Sequence, residues 1–209
     1  MAFKFDVEAL RSEFPACRLQ INGTPIAYLD GPGGTQVPQS VLDAITGYMI
    51  NDNANEDGNF RAGLKQGDIE VAARQAAADF LGCDAEEVGY NCSSTQNNYN
   101  LAANISKNFK EGDEIIVTQI DHQCNIAPWK SLERYGCIIK EVRLDPVTQQ
   151  LDFDDYKAKL SDRTKLVAVN WAANGIGTIT DVKKYIDEAH KVGAFTVVDA
   201  VHYAAHLPI

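Results

Sequence analysis

From Glu87 onward the chain alternates short apolar runs with amphipathic stretches, and that alternation limits the fold more than any other feature. The apolar runs are VGYNC (88–92), EIIVT (114–118), CIIKEV (137–142), KLVAVN (165–170) and AFTVVD (194–199). Each is short, rich in β-branched residues and suited to a buried strand. Helical spacing fills the gaps, over about 94–108, 127–135, 153–160 and 181–192. In the last of these, Val182, Tyr185, Ile186, Ala189 and Val192 fall in phase, with Thr180 as the expected N-cap and Gly193 as the terminator. Strands separated by helices require right-handed crossovers and a mostly parallel sheet. The expected fold is therefore α/β, a three-layer α/β/α arrangement, incomplete and preceded by an N-terminal helical and loop segment.

That leading segment is expected to cover residues 1–68, with the sheet domain over 69–209. Val41, Leu42, Ala44, Ile45, Tyr48 and Met49 recur at helical spacing after the stretch GPGGTQVP. Residues 51–68 are polar and Gly-rich, and read as a functional loop. A helix stripe of Ile69, Ala72, Ala73, Ala76 and Phe80 follows, closed by Gly82.

Composition excludes several classes of partner. The formal charge of −10 argues against nucleic acid and against an anionic membrane surface. No apolar run approaches the roughly 18 residues of a membrane span, and the N-terminus does not read as a signal peptide. Five scattered cysteines, with no CxxC pair, read as reduced thiols in a cytoplasmic protein.

Parallel sheets bind ligands beyond the carboxyl ends of their strands. Four of the five strand-end segments carry chemistry. Ser94, Thr95 and Gln96 open a helix, where they either cap it or cradle a phosphate. His122 follows EIIVT and is either structural or able to stack on a planar ligand and act as acid or base; no second ligand nearby suggests a metal. Asn174 leads the tight turn Asn174-Gly175-Ile176-Gly177. Asp199 ends a strand expected to be buried on both faces, and a buried carboxylate needs a partner. A backbone N–H or an arginine would serve, as would the protonated ring nitrogen of a cofactor. A phosphorylated, planar, cationic heteroaromatic ring accounts for all four features at once.

These stretches resemble the fold-type I pyridoxal-phosphate enzymes of the class V aminotransferase family, and among them the cysteine desulfurase-like proteins. The resemblance rests on YLDGPGGTQVP (28–38), NAN (53–55), IDHQCNIAPW (120–129), NGIGTITDV (174–182) and VDAVHYAAH (198–206). It implies pyridoxal 5′-phosphate as cofactor, an amino acid as substrate and a homodimer. Asp199 would pair with the pyridinium nitrogen. His122 would stack on the ring as the catalytic residue present. Asn174 and His202 would lie near the phenolic oxygen, Ser94, Thr95 and Gln96 would meet the phosphate, and Gly33, Gly34 and Asn55 would border the substrate. Many relatives have Gln in place of His202, and a different phosphate segment.

The resemblance also implies that the Schiff-base lysine lies beyond residue 209. Lys165 starts a strand at the wrong edge to replace it, and Cys124 reads as structural. Three readings follow: the N-terminal portion of such an enzyme, a shortened non-catalytic paralogue acting as a binding or assembly module, or an unrelated nucleotide-binding α/β domain.

Overall fold

The computed structural model describes residues 5–209. The chain divides into two compact units, one ending at Val88 and the other running from Gly89 to Ile209.

The first unit begins with α1 (Val7–Ser12), capped by Asp6, whose Oδ1 accepts from the Ala9 N–H at 3.0 Å. A two-residue antiparallel ladder joins β1 (Gln20–Ile21) to β2 (Thr24–Pro25). Its turn, Asn22-Gly23, takes positive φ at both positions, as a type I′ hairpin requires. Then come α2 (Gln39–Asn51) and α3 (Arg61–Leu81), which Gly82 ends in the left-handed conformation. The helix therefore starts eight residues before Ile69, and the loop expected over 51–68 shrinks to 52–60. Arg61 fastens its two ends, pairing with Asp52 at 2.7 Å and donating to the Asn51 carbonyl.

Two glycines hid that helix start, and they differ in kind. A Cβ on Gly63 would meet the Gly58 carbonyl oxygen at 2.7 Å, so the loop packs on the helix only because Gly63 is bare. A Cβ on Gly67 would meet nothing within 4 Å. Gly67→Ala is therefore expected to stabilise this unit by about 1 kcal/mol through helix propensity. Gly63→Ala is expected to destabilise it by about 1–2 kcal/mol, because displaced backbone outweighs the same propensity gain. Urea midpoints moving in opposite directions would bear this out; two rising midpoints would contradict it.

The second unit holds α4 (Ser94–Ile105), β3 (Glu114–Thr118), α5 (Ala127–Lys130), β4 (Ile138–Val142), α6 (Phe153–Lys159), β5 (Thr164–Asn170), α7 (Val182–Lys191) and β6 (Phe195–Asp199). The four strands form one parallel sheet in the order β4-β3-β5-β6. Successive side chains of a strand face opposite sides. Ile116, Val167 and Val169 accordingly pack with Tyr156, Tyr185 and Ala189 of α6 and α7. Ile115, Val117, Leu166 and Ala168 pack with Ala102 of α4 and Trp129 of α5. The three α/β/α layers are those expected.

Some local expectations fail. Residues 88–92 form no strand; Tyr90, Asn91 and Cys92 are exposed, and no strand ladder includes the segment. A strand is defined by its neighbour, and the sheet of the described residues is β4-β3-β5-β6 without this segment. β6 is itself an edge strand, paired only with β5 and half-buried rather than enclosed on both faces. Asp181, not Thr180, occupies the N-cap of α7, and the buried Thr180 hydroxyl has no protein partner. Among the described residues no helix is long and apolar enough to cross a membrane.

Candidate functional site

The carboxyl ends of β3, β5 and β6 bring Thr118, Asn170 and Asp199 to one edge of the sheet. β3 runs into a 3₁₀ turn, Gln123–Asn125, with His122 as its N-cap. The His122 Nδ1 accepts the Cys124 N–H at 3.1 Å. A neutral imidazole bound in this way carries its proton on Nε2. The His122 ring is exposed, while Cys124 and Asn125 behind it are buried.

The turn is braced from below. Asn125 donates to Asp121 Oδ1 at 3.2 Å and accepts from the Trp129 indole at 3.2 Å. Asp121 Oδ2 accepts from the Thr118 hydroxyl at 3.1 Å. From the side, Asn98 of α4 donates to the Cys124 carbonyl at 2.9 Å, and the Ser94 hydroxyl lies 3.9 Å from the Cys124 sulfur. The α4 N-terminus therefore packs on the His122 turn.

Asp199 meets the same turn. Its Oδ2 accepts from Cys124 Sγ at 3.3 Å, and its Oδ1 accepts from the Val201 N–H at 2.9 Å. Both donors are neutral. Among the described residues no lysine, arginine or histidine forms an ion pair with this carboxylate.

Burial, reinforced by the charge of Asp199, pushes the Cys124 thiol up to about 11. At neutral pH it is a hydrogen-bond donor and not a thiolate nucleophile. Burial likewise raises Asp121 to about 7; Asn125 and Thr118 oppose the rise, and the charge of Asp199 adds to it.

The structure thus joins Ser94, the His122 turn and Asp199 through Cys124. The other expected residues are placed less directly. Ser93 caps α4, accepting from the Gln96 N–H at 3.2 Å, and the Gln96 amide turns along the helix to Asn100. Thr95 is exposed in the same first turn. Asn174 is exposed at the tip of the hairpin closed by the Ala172–Ile179 bridge. His202 is half-buried after β6, with its ring 5.1 Å from that of His206. The hairpin and the turn after β6 are tied by the Trp171 N–H donating to the Asp199 carbonyl at 2.9 Å, and by Trp171 stacking on Tyr203 at 4.2 Å. Gly33, Gly34 and Asn55 belong to the first unit; the Gly33 N–H donates to Asp30 and Asn55 is exposed.

Lys165 lies at the opposite end of β5, its amine donating to the Asp162 carbonyl. A cavity of about 620 Å³ in the first unit is lined by Phe5, Leu10, Phe14, Tyr28 and other mostly apolar residues, and holds none of the strand-end groups. Sequence reasoning missed Asp121 and read Cys124 as structural, which its buried, protonated thiol is. The spacing of Asp121, His122 and Cys124 in one strand-end loop was the available signal.

A parallel sheet covered by helices on both faces, with polar groups gathered at its carboxyl edge, defines an α/β protein of the doubly wound type, a fold whose ligands bind at that edge. The chain belongs to the aminotransferase class-V family, whose model matches residues 27–209. It is 34% identical over 212 residues to a cysteine desulfurase of Synechococcus elongatus, covering 100% of this chain and 34% of the relative. A probable cysteine desulfurase of Synechocystis sp. is also 34% identical, over 96% of this chain and 48% of the relative. Among solved structures, the apo cysteine desulfurase of Thermococcus onnurineus NA1 superposes with a TM-score of 0.88 at 27% identity, over 100% of this chain and 50% of that one. The Escherichia coli cysteine desulfurase CsdA gives a TM-score of 0.83 at 25% identity, over 99% and 51%. The chain thus spans from a third to about half the length of these relatives and corresponds to an N-terminal portion of them.

Proposed function

We propose that this chain forms the cofactor-binding part of a pyridoxal-phosphate enzyme of the cysteine desulfurase type, acting on an amino acid. One observation carries the reading. Asp199 stands at the carboxyl edge with both oxygens held by neutral donors and no cation beside it among the described residues. A carboxylate so placed is complete only when a cation arrives, and a protonated pyridine nitrogen is a cation of the right kind. When bound, pyridoxal phosphate supplies an electron sink for charge developing at the substrate α-carbon.

The chain's own residues would do the rest. Asp199 would hold the proton on the ring nitrogen. The exposed His122 ring would lie over the cofactor face and keep water from it. The first turn of α4, with Ser94, Thr95 and Gln96, would receive the phosphate through its N–H groups and hydroxyls. Asn174 and His202 would reach the phenolic oxygen, and Gly33, Gly34 and Asn55 would border the substrate. Among the described residues no lysine hydrogen-bonds to or pairs with Asp199, His122 or Cys124, so this portion would hold the cofactor without a covalent bond. Membership of the family is the support for a homodimer. The five free cysteines are the support for a reducing, cytoplasmic setting.

Titration of the purified chain with pyridoxal 5′-phosphate, followed by absorbance, tests the reading. Saturable binding is expected, and borohydride followed by mass spectrometry is expected to find no lysine stably modified. A hydrogen bond to a charged group contributes about 1.5–3 kcal/mol, so Asp199→Asn should weaken binding about tenfold to a hundredfold. Equal affinity in the variant, or no saturable binding by the unaltered chain, overturns the reading.

A further inference from the structure

Asp121 is the buried group that the proposed role leaves unused. It is 9% exposed, and its carboxyl accepts from the Thr118 hydroxyl and the Asn125 amide, with the Asn170 backbone N–H beside them. The elements packed around it supply no positive charge. β3 gives Thr118, the following turn gives Asn125 and the neutral Cys124 thiol, β5 gives the backbone of Asn170, and β6 gives Asp199. The one charge in that set is a second carboxylate. Asp121 and Asp199 also act on the same thiol, since both hold the Cys124 proton in place.

Two carboxyl groups sharing one poorly solvated edge do not both ionise freely. Asp199 is the less buried of the two and is held by the Cys124 thiol and the Val201 N–H, so it is the one an arriving cation meets. Asp121 is the deeper of the two, and burial together with the neighbouring carboxylate favours its protonated form. A cation arriving at Asp199 cancels the repulsion and leaves Asp121 free to ionise.

We infer that Asp121 and Asp199 form a linked pair, in which binding of a cation to Asp199 releases the proton of Asp121 to solvent. The pyridoxal-phosphate reading supplies only the identity of that cation. Because the proton leaves on binding, affinity for the cation must rise as the pH rises through neutrality. Asp121 acts through Asp199 and is a positioning residue.

Two experiments test the pair. The first needs no ligand. Carbon-13 NMR of aspartate carboxyl groups, with the Asp121 signal assigned by its loss in Asp121→Asn, should show it titrating near neutral pH in the apo chain. In Asp199→Asn its midpoint should fall, because the repelling charge has gone. An Asp121 that titrates in the ordinary carboxylate range, or is unmoved by Asp199→Asn, overturns the linkage.

The second is calorimetry with pyridoxamine 5′-phosphate, which lacks the aldehyde. Between about pH 6 and about pH 8 the affinity of the unaltered chain should rise at least about threefold more than that of Asp121→Asn, whose ring and phosphate titrations are the same. Equal pH dependence overturns the proposal. Failure of pyridoxamine phosphate to bind, with the apo titration as described, sinks the cofactor reading and leaves the linkage standing. Should Asp121→Asn not fold, the titration in Asp199→Asn still decides.

Discussion

Trp129→Ala is expected to remove most of the stability of the 89–209 unit. Trp129 is fully buried, in the cluster that joins α4 and α5 to Ile115, Val117, Leu166 and Ala168. Deleting a buried aromatic ring from such a core costs about 3–5 kcal/mol, from lost transfer energy and from the cavity left behind. Here a polar loss is added. The indole N–H is the donor to Asn125 Oδ1, and Asn125 is 0% exposed. Leaving that oxygen unpaired costs a further 1–3 kcal/mol or so, although the two losses overlap because both relax into one cavity. A total of about 5 kcal/mol is comparable with the whole stability of an ordinary domain.

Trp129→Phe separates the two contributions. It keeps most of the ring volume and loses the hydrogen bond, so a loss of about 1–3 kcal/mol is expected. Urea unfolding followed by circular dichroism measures both variants. Equal losses in the two, or a loss below about 2 kcal/mol in Trp129→Ala, would show that Trp129 does not brace the turn as described. The consequence reaches the site, because Asn125 hands the same support to Asp121 and so to the His122 turn.

That chain of support explains which parts of the molecule could be read from the amino acids. EIIVT and KLVAVN announced themselves because β3 and β5 sit in the middle of the sheet, where both faces are covered and the residues between the strand ends are apolar. AFTVVD has the same composition yet lies at an edge, a difference set by what pairs with it and not by its own residues. VGYNC looked equally strand-like and belongs to none of the strand ladders of the described residues. The start of α3 was masked because Gly63 reads as a helix breaker, although it is required there by the Gly58 backbone.

The site divides in the same way. Asp199 was legible because a carboxylate at the tip of an apolar strand is anomalous wherever the strand goes. His122 was legible because strand ends of a parallel sheet converge on one edge, whereas Ser94 reaches that edge although the segment before it is no strand. Asp121 was not legible, nor was the bond from the structural Cys124 to Asp199, because both depend on what folds across from them. A thiol is a nucleophile, a core filler or a donor according to its neighbours, and here Asp199 and burial make it a donor. Thr95, Gln96, Asn174 and His202 reach the same edge of the fold through their elements, while the hydrogen bonds of the Asp199 carboxylate go to Cys124 and Val201.

The second large effect lies at the opposite end of the sheet, at Glu114. This carboxylate begins β3 and is 1% exposed. It accepts from Lys140 at 2.6 Å, from the Ser161 hydroxyl at 2.6 Å and from Arg163 at 2.8 Å, so it ties β4 and the loop before β5 to the central strand. Burial alone would raise its carboxyl, but Lys140, Ser161 and Arg163 outweigh burial and hold it below the usual glutamate value of 4.5. A depressed carboxyl contributes stability that is present above its unfolded value and is lost as the pH falls through its folded value. The unit should therefore weaken as the pH drops below about 4.5, more steeply than its exposed carboxylates would make it.

Removing one member of a buried ion pair costs about 3–5 kcal/mol when its partner stays buried. Arg163 is largely exposed and Lys140 keeps a bond to the Lys159 carbonyl, so both can turn toward water. Glu114→Ala should accordingly fall at the low end, near 3 kcal/mol at neutral pH. Glu114→Gln preserves the shape and part of the hydrogen bonding, so it should lose less and flatten the acid limb of the stability curve. Urea midpoints measured down the acid range would decide the matter: an acid limb as steep in Glu114→Gln as in the unaltered chain would mean that the Glu114 charge is not what holds these three segments together.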